Sequence, residues 1–257
     1  MKKNMETAIS AAIAAGRMIK KSLGKAGKIR YKSDINIVTA VDIRAERMII
    51  SRLKRHFPDY GILAEEKTHI EEQRPIRWII DPLDGTTNFA RCFPFFAVSI
   101  ALEVKKEIVL GVVYDPVREE LFTAERGKGA YLNRKRKISV SKTSRVEQSF
   151  LATGFSYSFK KKRENNIRHF KNFLMSALAL RRAGAATLDL CYVACGRFDG
   201  FWELDLCPWD TAAGFLIARE AGGKVTHFNG TKFSPYTGNI VASNGRLHAQ
   251  MIKILNR

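Results

Sequence analysis

The sequence predicts a layered α+β protein, and three features of the 257-residue chain carry that reading. Apolar residues recur at helical spacing near its start. A block of short apolar runs bounded by turn residues fills its middle, and helical and strand-like segments alternate towards its end. Hydrophobic residues make up 46% of the chain, enough for a sizeable core, and no run approaches the ~20 apolar residues of a membrane span.

Met5, Ile9, Ile13, Gly16 and Ile19 share one face of a helix expected from about Asn4 to Leu23. Met1-Lys2-Lys3 before an apolar run partly resembles a secretion signal, but Glu6 interrupts it and the one-sided spacing favours a core helix. Val41, Ala45, Met48, Ile49 and Leu53 mark a second helix, Val41 to Phe57, which Pro58 stops. Arg77-Trp78-Ile79-Ile80 reads as a buried strand that Pro82 prevents from continuing. Phe96 to Val104 reads as another strand, and Ile108 to Tyr114 with Glu120 to Ala124 as a hairpin around Asp115-Pro116. Beyond Ser149, a helix around Asn166 to Ala179 leads to a Gly184-Ala185-Ala186 turn and an apolar helix through Cys195. A strand over Phe198 to Leu204, a helix over Thr211 to Ala221 ended by Gly222-Gly223, and a buried strand at Ile240 to Ala242 complete the pattern. No linker composition interrupts the chain, so any subdomain boundary near 150 to 180 is a packed one. The chain is therefore expected to be one domain, 1–257, of two packed subdomains, roughly 1–175 and 176–257.

Lys and Arg outnumber Asp and Glu by 44 to 25, a formal charge of +19 that favours anionic partners. Two bursts, Arg134-Lys135-Arg136-Lys137 and Lys160-Lys161-Lys162-Arg163, lie in loop-like segments and read first as solvated surface. Aromatic interleaving is confined to Tyr157 and Phe159 just before the second, so charge alone names no nucleic-acid site. Cys92, Cys191, Cys195 and Cys207 form no CxxC pair and no zinc spacing, which makes reduced thiols in a cytoplasm the expectation. His56, His69, His169, His227 and His248 show no metal-ligand spacing. There is no GxxxxGK[ST] loop, no dinucleotide fingerprint at Gly127-Lys128-Gly129 and no GxSxG elbow.

The informative stretch is Asp81-Pro82-Leu83-Asp84-Gly85-Thr86-Thr87-Asn88. A turn after the buried strand lets Asp81 and Asp84 converge, Gly85 permits unusual backbone angles, and a helical turn at Thr86 aims N–H groups outward. An anion site beside paired carboxylates is self-defeating without metal ions between them, and Mg²⁺ suits hard oxygen donors. Glu65-Glu66, after apolar Leu63-Ala64, and Asp210, at the start of a helix, are further acids within reach of such a site. Taken singly, each piece has a plainer reading: a capped turn for DxxDGT, an N-cap for Asp210, surface for Glu65-Glu66, a first-turn charge for Asp42.

Taken together, they resemble the inositol monophosphatase family over essentially the whole chain. Trp78 to Phe89 and Pro208-Trp209-Asp210-Thr211-Ala212-Ala213-Gly214 resemble its two signature motifs, in order. Val38 to Asp42, Ala64-Glu65-Glu66, Gly111 to Tyr114, Gly127 to Tyr131, Gly184-Ala185-Ala186 and Glu220-Ala221-Gly222-Gly223 add support. The resemblance implies a layered αβαβα sandwich, and it implies roles. Glu65, Asp81 and the Leu83 carbonyl bind a first Mg²⁺; Asp81, Asp84 and Asp210 bind a second; Glu65 helps hold a third through water. Gly85 and Thr86 hold the phosphate through backbone N–H groups. Asp42 and Thr86 orient and deprotonate the attacking water. Gly184, Ala185, Ala186 and Glu203 line the substrate alcohol, with Asp84 and Asp210 also facing the ester. Ala64 replaces a frequent Gly, and Ala185 replaces a frequent Ser or Thr, which removes a hydroxyl near the substrate.

The reaction implied is in-line attack of water on a phosphate monoester, with myo-inositol 1-phosphate the first expectation. Fructose 1,6-bisphosphate, histidinol phosphate and nucleotide 3'-phosphates are the alternatives. Inhibition by Li⁺ and a homodimer are implied by the resemblance alone. A second class of function, an RNA or ribonucleoprotein-associated role on the same fold, is motivated by the +19 charge.

Overall fold

The computed structural model of the chain describes residues 1–24, 30–31, 37–66, 69–70, 73–156 and 166–257. The first helix, α1 (Lys2–Ser22), turns Ala8, Ala11, Ala12, Ala15 and Ile19 inward. A short ribbon of β1 (Arg30–Tyr31) and β2 (Ile37–Val38) precedes α2 (Ala40–His56), which packs beside α1 through Ala45, Ile49 and Leu53. Thr39 starts α2 with a reciprocal cap: its hydroxyl accepts from the Val41 N–H, and the Asp42 carboxylate accepts from the Thr39 N–H at 2.9 Å.

These two helices cover one face of an eight-stranded sheet. It is built from β3 (Gly61–Ala64), β4 (His69–Ile70), β5 (Ile76–Asp84), β6 (Ala97–Val104), β7 (Glu107–Asp115), β8 (Glu120–Glu125), β9 (Ala130–Leu132) and β10 (Arg136–Lys137). The spatial order is β10-β9-β8-β7-β6-β5-β3-β4, antiparallel throughout except where β3 runs parallel to β5. A short helix, α3 (Thr86–Ala90), leaves the end of β5. Side chains alternate across β5: Trp78 and Ile80 join the core under α1 and α2, whereas Ile79 joins the core on the other face. Both faces are buried, which is why the central strands read as near-continuous apolar runs.

A second sheet holds β11 (Phe150–Thr153), β12 (Ala179–Arg181), β13 (Gly200–Leu204), β14 (Lys224–Thr226) and β15 (Asn239–Ser243), in the order β12-β11-β13-β15-β14. α4 (Ile167–Leu174) lies with α7 (His248–Leu255) on its outer side, where Phe173 stacks on Trp202 with ring centroids 4.0 Å apart. α5 (Ala186–Ala194) and α6 (Pro208–Glu220) fill the layer between the two sheets. The order of layers is αβαβα, as the resemblance implied. The two middle helices approach so closely that a Cβ on Gly214 of α6 would stand 2.7 Å from Leu190 Cβ of α5.

Two expectations about elements are corrected. Pro82 does not end its strand: β5 continues to Asp84 through an irregularity in its pairing with β6. A proline, lacking an N–H, is tolerated where the ladder is already broken by a bulge. The helix expected to reach Ala179 stops at Leu174, because the N–H groups of Leu178 and Ala179 turn to the Ser149 carbonyl and start the pairing of β12 with β11. Tertiary strand pairing overrides helical spacing there. The basic burst Lys160 to Arg163, with Tyr157 and Phe159, lies outside the described residues. Among the described residues no helix is long and apolar enough to cross a membrane.

Gly214→Ala tests the interhelical contact. Alanine gains about 1 kcal/mol of helix propensity, but its methyl meets a Cβ that cannot swing aside, an overpacking cost of about 1–3 kcal/mol. Net destabilisation is expected, read as a lower urea midpoint with unchanged m.

Candidate active site

The irregularity in β5 shapes the site. Asp81 pairs with Ser99, and Asp84, not Leu83, pairs with Ala97, so β5 carries one extra residue there. In a regular strand residues three apart point to opposite faces; one inserted residue puts Asp81 and Asp84 on the same face. The Leu83 N–H donates to Asp81 Oδ1 at 2.9 Å and holds the bulge shut. Gly85 follows with φ +93°, and a Cβ there would come within 3.0 Å of the Phe95 carbonyl, so the turn into α3 requires glycine.

Three other elements deliver their side chains to the same place. β3 is parallel to β5, so its carboxyl end stops level with Asp81, and the Glu65 N–H makes the last rung to the Ile80 carbonyl at 3.2 Å. α6 begins at the pocket, where the Cys207 N–H donates to Asp210 Oδ2 at 2.6 Å. α5 begins there too, and Thr187 gives both its N–H, at 2.7 Å, and its hydroxyl to Asp84 Oδ2. Asn88 Nδ2 donates to the carbonyls of Phe95 and Ala183 at 2.7 and 2.8 Å, tying α3 to the turn before α5.

The result is a pocket of about 440 Å³ between the two sheets. Glu65, Asp81, Leu83, Asp84, Gly85, Thr86, Gly184, Ala185, Ala186, Glu203 and Asp210 all line it. Asp42 does not; it sits fully buried behind the wall, its Oδ1 accepting from Thr86 Oγ1 at 2.8 Å and its Oδ2 from Thr39. The Thr86 hydroxyl has a second acceptor in the Leu83 carbonyl at 3.0 Å. The structure therefore gathers every candidate residue named from the sequence into one place, eleven of them lining the pocket and Asp42 directly behind Thr86.

Sequence reasoning missed several members of the site. Arg182, Asp205, Leu206 and Trp209 line the pocket, as do Gly154, Phe155 and Ser156 after β11. Thr187 anchors Asp84, and its only signal was a hydroxyl in the first turn of an otherwise apolar helix. Asp189, two residues further along α5, is fully buried with neither carboxylate oxygen hydrogen-bonded. No histidine lines the pocket among the described residues; His248, for one, is buried between Thr226 and Ser243 on the far side.

Electrostatics decide what this pocket accepts. Six lining carboxylates face one lining cation, Arg182, among the described residues. Burial, then the charges of Glu65, Asp84 and Asp210, push Asp81 well above the usual carboxylate range. Burial, then Asp84 and Glu65, do the same to Asp210. Burial lifts Asp84 to about 6 against the pull of Thr187, and lifts Glu203 to about 8 against the pull of Arg182. Asp189 is pushed well up by burial and by Glu203 and Asp84. Asp42 is raised by burial in spite of its hydrogen bonds from Thr39 and Thr86. Among the described residues no three acidic, histidine or cysteine side chains already form a closed metal cage. The donor chemistry nevertheless fits a hard divalent cation: clustered carboxylates, the Leu83 carbonyl beside them, and among the described residues one lining cation against six acids.

Comparison with known proteins agrees with this chemistry. The inositol monophosphatase family model matches residues 1–257. The chain is 44% identical over 253 residues to an inositol-1-monophosphatase of Synechocystis sp., an alignment covering 98% of this chain and 88% of that one. It is 46% identical over 245 residues to the Nus factor SuhB of Vibrio cholerae, covering 94% of this chain and 91% of that one. The solved structure of an inositol monophosphatase from Anabaena (Nostoc) sp. matches it with a TM-score of 0.91 at 40% identity, covering 99% of this chain and 96% of that one.

The raised carboxyls set a pH dependence. Each binds its proton more tightly in the folded than in the unfolded chain, so the folded state is favoured as pH falls from about 8 towards the ordinary carboxylate range and loses stability as pH rises through the folded values. Chelator-treated protein is expected to be more stable to urea at pH 5.5 than at pH 8.5. Glu203→Gln should flatten the upper part of that slope, where about 1.4 kcal/mol attends each pKa unit displaced. A profile that is level, or that rises with pH, would contradict this electrostatic account.

Proposed function

The chain belongs to the inositol monophosphatase family and is a phosphoric monoester hydrolase; from that premise we propose that it releases phosphate from an inositol monophosphate, myo-inositol 1-phosphate first. The observation that carries the reading is one pocket joining a cation-poor carboxylate cluster to a buried Asp42–Thr86 pair. Members of this family are metal-dependent. In this proposal Glu65, Asp81 and the Leu83 carbonyl hold one Mg²⁺, and Asp81, Asp84 and Asp210 hold a second, with Glu65 reaching towards a third. Bound there, the ions supply Lewis-acid stabilisation of phosphoryl charge and make water more acidic.

The chain's own groups then do the rest. A water placed beside Thr86 donates a hydrogen bond to its Oγ1, and the Thr86 hydroxyl donates in turn to Asp42 Oδ1. Burial keeps Asp42 more basic than an exposed aspartate, which suits it to receive the proton at the end of that relay. Gly85 and Thr86, at the start of α3, present backbone N–H groups to the phosphate oxygens. Across the pocket, burial pushes the Glu203 carboxyl up to about 8, which suits it both to donate to and to accept from a polyol hydroxyl. A volume of about 440 Å³ lies towards the small end of ligand pockets and supports a sugar-sized alcohol over a nucleotide. A homodimer belongs to the same proposal; Leu174, Met175 and Leu178 are exposed apolar side chains at the end of α4 that a second copy would cover.

Phosphate release from a panel of monoesters and bisphosphates, with Mg²⁺ and with chelator, tests the reading. Metal-dependent release with inositol 1-phosphate preferred is the expected result; another preferred ester keeps the mechanism and replaces the substrate. Asp84→Asn should fold and lose far more than tenfold in rate, whereas retention of over a tenth, a change of only ~1.4 kcal/mol, would overturn the metal assignment. The +19 charge motivates a second reading, an additional RNA contact, to which the relative named as a Nus factor adds only weak support. A salt-sensitive gel shift that survives Asp84→Asn supports that contact, and no shift at low salt removes it.

A further inference from the structure

Helix α2 carries two buried carboxylates four residues apart, Asp42 at 0% and Glu46 at 2% exposure. At that spacing they stand one above the other on one face of the helix. Asp42 reaches Thr86. Glu46 reaches the chain just past the end of β3: its Oε2 accepts the backbone N–H of Glu66 at 2.8 Å. Glu66 is the first residue past the sheet ladder, because the Glu65 N–H makes the final rung to the Ile80 carbonyl. Beyond that rung the sheet no longer dictates the path of the chain. A bond from a carboxylate to a backbone N–H is among the stronger kinds, and a carboxylate is costly to bury unless it is so used.

We infer that Glu46 is a positioning residue, which clamps the Glu65–Glu66 backbone so that the Glu65 carboxylate is presented to the cation site beside Asp81. The inference rests on the reading of Glu65 as a metal ligand under the proposed function. It gives α2 one task at two heights: one carboxylate orients the proton relay, and the other orients the end of a ligand strand.

Calorimetric titration of Mg²⁺ into chelator-treated protein, with Tm measured alongside, tests it. Glu46→Ala is expected to weaken Mg²⁺ binding by about tenfold, the usual scale for groups that orient ligands. The lost phosphatase rate should return on raising Mg²⁺, with little change in substrate KM. Glu46→Gln keeps an oxygen acceptor for the Glu66 N–H and should restore Mg²⁺ affinity to within about threefold of the wild type. Should Glu46→Ala not fold, Glu46→Asp, which draws the acceptor back by about 1.5 Å, must itself bind Mg²⁺ more weakly. A lowered Tm with wild-type Mg²⁺ affinity in the Ala or Asp variant would overturn the inference, as would a Gln variant as weak as Ala. Absence of Mg²⁺ binding by the wild type would instead overturn the metal assignment itself, so the two failures are distinguishable.

Discussion

Carboxylates converging where water is scarce impose the condition around which this molecule is arranged. Two like charges 4 Å apart repel by about 4 kcal/mol at the effective dielectric of a protein near its surface, and a domain's whole net stability is only about 5–15 kcal/mol. Asp81, Asp84 and Asp210 stand together, and Glu203 and Asp189 lie close enough to feel Asp84 or one another. Part of the cost is relieved by protons, which is what the raised carboxyls express. Part is relieved by donors, from the N–H groups of Leu83, Thr187 and Cys207. The remainder leaves the pocket with a chemistry suited to hard cations.

The architecture serves the same end. α2, α3, α5 and α6 all begin at or directly behind the pocket, and a helix start carries partial positive charge and unsatisfied N–H groups. Four such ends around one acidic cluster soften its repulsion. The ends stay in register because the scaffold behind them is tight. α5 and α6 touch at Gly214, Asn88 ties α3 to the turn before α5, and the parallel pair β3 and β5 stops level at Glu65 and Asp81. The molecule as a whole is strongly basic while its pocket is acidic. A positive outer field favours the approach of anions, whereas the acids inside the pocket favour cations.

Long periodic segments were legible from the chain because each makes its signal within itself. α1 and α2 fall within two residues of their expected limits, and β6, β7 and β8 within a residue or so of theirs. Short or edge elements were not: β9, β10, β12 and β14 have two or three residues each and exist only because a neighbour pairs with them. The truncation of α4 has the same origin, a carbonyl of Ser149 competing for backbone that would otherwise stay helical.

For the site, the sequence by itself determined which oxygen donors exist, that Asp81 and Asp84 lie close together at the end of a buried strand, and that Gly85 permits the sharp backbone angle that follows them. These are local matters of spacing and backbone freedom. Only the tertiary structure decided that Asp81 and Asp84 share a face through a bulge containing Pro82, that Asp42 stands behind Thr86, that Thr187 donates to Asp84, and that Glu46 accepts from the Glu66 N–H. Those relations join residues 44, 103 and 20 positions apart, and no periodicity along a chain encodes which distant backbone group a buried side chain will meet once the layers close.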